Sequence, residues 1–331
     1  MPIALDVIQP HPTWDILDSS KLTTYMECPR KFFYRYILGW QSDYPNNHLV
    51  FGSAWHIAME WLLNHPGDTN GAILAFLTYY RQHFPVSTDE LYSPKTPRNA
   101  VESIIAYEQC YSRTEYQEEV LYTELAGLVL VSDTRTMTFK CDAILRDNET
   151  GQVFGRDFKT SQRKYANWGE HYVLSTQMLT YLHALHCLYP DTEQLKMVVR
   201  GAWFYKKTPT EFADHPIDKT LDQMEAWLVR TNRHIDDLER DMLILQEDDT
   251  ESTVMQSFPM RDTACFNFGQ TCAFFDFCNA WSNPLTRCEQ TPIGFRKEYW
   301  NPLDRPEIST KINLATQSGH VIEMDKVNKD A

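Results

Sequence analysis

A mixed chain of the α/β (α+β) class is expected on three grounds. Apolar residues recur at helical spacing through the first third, short runs rich in Val, Leu, Phe and Thr take over from Val120, and a long amphipathic pattern returns near residue 219. At 331 residues the chain can form one large domain or two ordinary ones, and either can bury a core without cross-links.

Asp18 and Ser19 are N-cap residue types ahead of Leu22, Tyr25 and Met26, and Pro29 interrupts the pattern before Phe32, Tyr36 and Ile37 resume it. Two helices joined at Cys28-Pro29 are therefore expected. Another helical stretch follows Gly52, with Trp55, Met59, Leu62 and Leu63 on one face, and two more cover about 73–84 and 97–111. Strands are predicted at 120–131, 136–146 and 152–160, the last two joined by the turn Asp147-Asn148-Glu149-Thr150-Gly151, so that they form an antiparallel meander. A helix at about 172–188, a strand at 196–205 and an amphipathic helix at 219–245 complete the series. The tail after Asp304 is polar and weakly patterned, and is expected to be mobile.

The net charge of -14 argues against a general affinity for nucleic acid, but the acidity is local. Thirteen acids against four bases lie between Glu211 and Glu251, read as a helix with a solvated acidic face, which leaves room for a positive groove elsewhere. The first fourteen residues, with Pro2, Pro10 and Pro12, lack the basic and apolar regions of a signal peptide, and no apolar stretch is long enough to span a bilayer. A cytoplasmic, intracellular chain with reduced thiols and no membrane partner is expected, in which clustered cysteines hold a metal or cluster and not disulfides.

On a strand, Asp157 and Lys159 share a face while Phe158 points to the other side. Taken alone, this is better explained by a surface ion pair. The turn at 147–151 brings the strand carrying Asp142 alongside, and two carboxylates that close repel unless a divalent cation lies between them. Glu124, one strand earlier, is a possible auxiliary acid or a solvated strand residue. His56 is a candidate imidazole ligand, and Gln177 and Tyr181, four apart, share a helix face.

Together with the Ser20-to-Gly39 entry helix, its Cys28-Pro29-Arg30 and its Phe33-Tyr34-Arg35-Tyr36, these residues resemble the RecB-like branch of the PD-(D/E)XK nuclease superfamily. The resemblance spans roughly residues 18–280 and implies a central mixed β-sheet flanked by helices, with an N-terminal helical region and a C-terminal cluster-binding segment. It implies an N-terminal extension at 1–17, a nuclease domain at 18–285 with a helical insertion at about 57–117, and a tail at 286–331. It further implies Mg²⁺ or Mn²⁺ held by His56, Asp142, Asp157 and the Phe158 carbonyl, with Lys159 orienting the attacking water and Gln177 and Tyr181 positioning strand and lysine.

Cys265, Cys272 and Cys278 flank a glycine among aromatic residues, and with Cys28 they make four thiolates able to surround one inorganic core. This is similar to the 4Fe-4S staple of RecB-like nucleases such as the AddB nuclease domain and CRISPR-associated and phage exonucleases, although the six-residue gap after Cys265 is wider than in many of them. A structural Zn²⁺ with four thiolate ligands is the alternative. Cys288 is a spare or a substitute ligand, and Cys110, Cys141 and Cys187 are expected to be ordinary buried thiols.

Lys21, Arg30, Lys31, Arg35, Arg163 and Lys164 are candidate backbone contacts, with Tyr34, Tyr36, Tyr165 and Trp168 available for base stacking. The expected activity is a metal-dependent DNA exonuclease acting on single strands or DNA ends in recombination, repair or phage DNA processing. An endonuclease on the same core, or a non-catalytic end-binding scaffold, are the alternatives. No Gly-x-x-x-x-Gly-Lys loop is present, so a helicase or recombination protein would be a separate partner.

Overall fold

The computed structural model describes residues 3–115, 117–192, 194–267, 270–305, 308–315 and 322–326. Its helices in chain order are α1 (Ala4–Val7), α2 (Ser19–Glu27), α3 (Pro29–Phe32), α4 (Asn47–Asn64), α5 (Thr69–His83), α6 (Pro97–Glu115), α7 (Glu170–Val173), α8 (Thr176–Leu188), α9 (Leu221–Glu247) and α10 (Phe275–Ala280). Its strands are β1 (Trp40–Ser42), β2 (Glu118–Leu130), β3 (Thr136–Asp147), β4 (Val153–Ser161), β5 (Lys196–Trp203), β6 (Glu211–Asp218), β7 (Phe266–Asn267), β8 (Gln270–Thr271), β9 (Phe295–Lys297), β10 (Thr310–Asn313) and β11 (Ile322–Lys326). No helix among the described residues is long and apolar enough to cross a membrane.

The chain forms two units, one comprising Pro45–Val129, Phe139–Met224 and Arg305–Ala331, the other Met1–Tyr44, Leu130–Thr138 and Glu225–Asp304. In the first lies most of a seven-stranded sheet ordered β11-β10-β2-β3-β4-β5-β6. It is mixed: β3 and β4 are antiparallel, β4 and β5 parallel, β5 and β6 antiparallel, and β10 runs parallel to β2. The β3–β4 register is set by its turn. The Asp147 carboxylate accepts the N–H groups of Glu149 and Thr150, and Gly151 closes the loop at φ +71°, a value glycine adopts without steric cost.

Helix α4 begins at Asn47, earlier than the Gly52 start expected, because the Asn46 side chain caps the His48 N–H at 2.9 Å. Its apolar residues spread around much of the helix, and Phe51, Trp55 and Met59 join Phe76 and Tyr80 of α5, Ile104 and Tyr107 of α6, and Phe158 and Phe204 in one core. On β4 and β5, Arg156 and Arg200 are buried but paired, with Glu118 at 2.8 Å and Asp214 at 2.7 Å respectively.

The other unit is built on α2, α3, a π-helical turn over Phe33–Ile37, most of α9 and the β1–β9 pair. Asp18 caps α2 through the Lys21 N–H at 2.7 Å, and the break at Cys28-Pro29 falls where expected. Tyr25 donates to Asp241 of α9 at 2.6 Å, and Phe32 stacks on Phe258 with centroids 5.9 Å apart.

Four expectations are corrected. The acidic segment beginning at Glu211 is not all helix. Its first eight residues are β6, an edge strand on which Pro216 is tolerated because no further strand needs its missing N–H. The helix expected from Tyr172 is split into α7 and α8, because Ser175 caps a new start at the Met178 N–H. The tail is not mobile throughout: Ile308 and Ile312 are buried and β10 adds to the sheet beside β2, while residues 316–321 and 327–331 lie outside the described residues. Of the three thiols expected to be ordinary buried ones, only Cys141 is buried; Cys110 and Cys187 stand on the exposed faces of α6 and α8, and Cys288 is buried.

Docking of β10 depends on Gly127, where an added Cβ would stand 2.4 Å from the Ile312 carbonyl oxygen. Gly127→Ala is expected to destabilise the chain by about 1–3 kcal/mol, as overpacking does. Urea unfolding reads this as a lower midpoint at unchanged m; an unshifted midpoint would mean that β10 is not held there.

Candidate active site

The β3–β4 pairing of Ala143 with Arg156 makes Asp142 and Asp157 the next facing residues. Both are buried. Asp142 Oδ2 accepts the Phe158 backbone N–H at 2.8 Å and lies 3.1 Å from His56 Nδ1, which α4 brings to the same corner. Glu124 of β2 completes a group in which one ligand atom each of His56, Glu124 and Asp142 lies within 4.8 Å of the others. Glu124 takes φ +46°, a left-handed conformation that costs a non-glycine residue about 1–2 kcal/mol.

Two lysines stand among these acids. Lys159 Nζ is 2.7 Å from Asp157 Oδ2, and Lys140 Nζ is 2.5 Å from Glu124 Oε2. Neither Asp157 oxygen nor Glu124 Oε2 has a hydrogen-bonding partner of good geometry among the described residues, so these ion contacts leave acceptor capacity unused. Burial, with the Asp142 charge beside them, raises Asp157 to about 6 and Glu124 to about 8 against the pull of their lysines. Asp142 is also buried, but His56, Lys159 and Lys140 hold it down at about 2. For His56 the balance is reversed: burial disfavours its charged form, and the Asp142 contact outweighs burial and raises it. An acidic corner with unsatisfied oxygens and one imidazole suits a hard divalent cation.

On α8, Gln177 Nε2 donates to the Tyr181 hydroxyl at 2.9 Å. The buried Tyr181 feels Asp157 and Asp142, so this pair stands close to the acids. The structure thus gathers His56, Glu124, Asp142, Asp157, Lys159, Gln177 and Tyr181, with Glu124 nearer His56 and Asp142 than the sequence implied. Lys140 and Tyr172 were missed. Lys140 has the same strand spacing from Asp142 as Asp157 has from Lys159, which was a readable signal. Tyr172, half-buried in α7 and raised to about 12 by burial, interacts electrostatically with Lys159 and Asp157, and nothing in its sequence context marks it.

In the other unit, Cys28, Cys265, Cys272 and Cys278 line one small pocket walled by Met260 and Phe274. Burial pushes the Cys278 thiol up to about 11 despite Arg30, and the other three thiols add to the rise. The Arg261 N–H points at Cys28 Sγ at 3.4 Å, and the Cys272 N–H donates to the Cys265 carbonyl at 2.8 Å. Gly269, between the thiols, lies outside the described residues.

Several expected strand contacts are corrected. Arg30 is buried, with its Nε on the Phe258 carbonyl at 2.9 Å, and serves the thiol pocket and not a surface groove. Lys21 is buried on the Thr13 and Ile16 carbonyls. Tyr34, Tyr36 and Trp168 are buried too, which removes them as open stacking faces. Lys31 pairs with Glu27, Lys164 pairs with Glu211, Arg35 reaches the Glu298 carbonyl, and Arg163 and Tyr165 are exposed.

A model of the PD-(D/E)XK nuclease superfamily matches residues 19–279. No curated protein matches the chain. Among solved structures, a protein of Eubacterium rectale described as a candidate exonuclease is 13% identical, with TM-score 0.45 over 71% of this chain and 82% of that one. A protein named SSO0001 is 20% identical, with TM-score 0.25 over 53% of this chain and 70% of that one.

Raising a carboxyl above its unfolded value removes stability as pH climbs through the folded value, so ionised Asp157 weakens the metal-free fold above about pH 6. Asp157→Asn is therefore expected to melt no lower than the parent at pH 7 in chelator, and to be stabilised less than the parent when Mn²⁺ is added. Calorimetry of both proteins with and without Mn²⁺ checks this; a much lower metal-free melting temperature for the variant would contradict it.

Proposed function

The chain belongs to the PD-(D/E)XK nuclease superfamily, and from that premise we propose that it is a metal-dependent deoxyribonuclease degrading DNA from ends, with preference for single strands. The observation that carries this reading is the buried apposition of Asp142 and Asp157 with His56 on one and Lys159 on the other. His56, Asp142, Asp157 and the Phe158 carbonyl would hold Mg²⁺ or Mn²⁺, with Glu124 as a further acid at the same corner. When bound, the ion supplies hydroxide near neutral pH and neutralises charge on the scissile phosphate.

The protein's own groups do the rest. Asp142 fixes the Phe158 peptide through its N–H and orients the His56 ring through Nδ1. Lys159, held by Asp157, aligns the attacking water and meets the negative charge that grows on the phosphate. The Gln177–Tyr181 pair packs a donor and a hydroxyl beside them to position lysine and strand. Arg163 offers an exposed backbone contact. Water is the nucleophile, so no covalent intermediate is required.

The four thiols would carry a 4Fe-4S cluster, or a structural Zn²⁺, that staples residue 28 to the 265–278 segment. Arg30 beside them offsets part of the thiolate charge. Such a staple is worth about 5 kcal/mol in the chain-entropy model for so long a loop. This reading places the protein in the cytoplasm, in recombination, repair or phage DNA processing, with any helicase or recombination protein supplied separately.

Purified protein is expected to contain iron and acid-labile sulfide, and Cys272→Ser to lower folded yield. With Mn²⁺ it should shorten end-labelled single strands and leave a covalently closed circle intact, and Lys159→Ala should slow digestion about 10²- to 10³-fold. Cutting of the closed circle would replace the exonuclease reading with an endonuclease, and binding of ends without digestion would replace it with a scaffold.

A further inference from the structure

Lys140 stands on β3 two residues before Asp142, so strand alternation puts both side chains on one face of the sheet. The function proposed above gives it no task. Its Nζ makes an ion contact with Glu124 Oε2 at 2.5 Å, as Lys159 Nζ does with Asp157 Oδ2 at 2.7 Å. The lysine side chains are 26% and 22% exposed, whereas those of Glu124 and Asp157 are only 3% and 1% exposed. Each lysine thus covers one buried carboxylate from the more open side.

Glu124 shares with His56 and Asp142 a set of ligand atoms within 4.8 Å of one another, close enough for one divalent ion to touch all three. Asp157 is not a member of that set. Asp142 therefore borders two places for a cation, one towards Asp157 and one towards Glu124, and phosphodiester hydrolases with two metal ions hold them about 4 Å apart. The Glu124 side already has an ammonium in contact. Metal ligands bind deprotonated, so Glu124, Asp142 and Asp157 count three negative charges against two positive lysines, with His56 neutral, and one negative charge remains. Glu60, one turn beyond His56, is engaged by the Ser309 hydroxyl at 3.1 Å and is outside the set. One divalent ion and one phosphodiester bring the corner to neutrality, whereas a second divalent ion would leave two positive charges in excess. Uncompensated charge in so buried a place is costly.

We infer that Lys140 is a positioning residue standing where a second metal ion would otherwise bind: its ammonium neutralises Glu124 and limits the corner to a single divalent ion. This deepens the metal-dependent reading above and rests on it. Lys140 acts through Glu124 and the ion, so its signature is the number of ions the corner holds.

The test counts Mn²⁺ on the full chain by calorimetric titration and records the electron paramagnetic resonance of the bound ions, for the parent, Lys140→Met and Lys140→Arg. Ions held elsewhere, as on the acidic residues of α9, are counted on an Asp142→Asn chain and subtracted. The parent is expected to hold one ion that depends on Asp142, with the spectrum of an isolated Mn²⁺, and Lys140→Arg to do the same. Lys140→Met, which leaves the corner one positive charge poorer, should take up a second ion and show the magnetic coupling of a close pair. A variant that folds only with Mn²⁺ is refolded in its presence and counted in the same way. Two coupled ions in the parent or in Lys140→Arg overturn the proposal. So does a Lys140→Met chain that still holds one ion, or one that folds under neither condition and so makes Lys140 a structural tie. A parent whose ion count is unchanged by Asp142→Asn defeats the metal-dependent reading on which the proposal rests.

Discussion

Three carboxylates buried at one corner of a sheet repel each other, and the architecture around Asp142 is arranged to keep them there. Asp142 is secured by a backbone N–H and an imidazole, whereas Asp157 and Glu124 are each left with a single lysine. Those lysines balance charge without filling the acceptor positions of the oxygens. The result is a polar centre that is adequately neutral and incompletely satisfied, a state that stability alone does not favour. It becomes intelligible if the groups are kept for an ion and a phosphate.

The thiol-bearing unit meets a similar electrostatic problem with softer ligands. Cys28 comes from the break between two helices, and Cys265, Cys272 and Cys278 from a short-strand and helix segment more than two hundred residues later, yet all four line one pocket. Aromatic residues pack nearby, among them Tyr34 against Trp40 and Phe274, while Cys265, Cys272 and Cys278 stay half-buried. Arg30 gives up the surface to lie there.

Much of this was readable before any coordinates. The alternation that puts Asp157 and Lys159 on one face, the turn ending at Gly151 and the Asp18 cap follow from local rules that tertiary packing does not override. The four thiols were legible because few other roles suit them. The rest was hidden for physical reasons. Whether an arginine or tyrosine near a helix start faces water or core is decided by segments hundreds of residues away, as with Arg30 on the Phe258 carbonyl. The backbone reversal at Glu124 has no sequence marker, because glutamate is an unusual residue for positive φ. Strand β6 was masked by acidic residues that an edge strand tolerates as well as a helix does, and β10 by a short polar run that only a long-range parallel pairing makes extended.

That parallel pairing has a further bearing. The Ser309 N–H donates to the Glu124 carbonyl at 3.1 Å, and Thr310 pairs with Leu125 immediately afterwards, so β10 braces the reversed segment that aims Glu124 inward. On a ribosome, where the chain emerges from its amino end, Asp142 and Asp157 would be exposed long before residue 309 appears. The acidic corner would thus be finished last, and a half-made molecule would lack the support that holds its most strained ligand candidate in position.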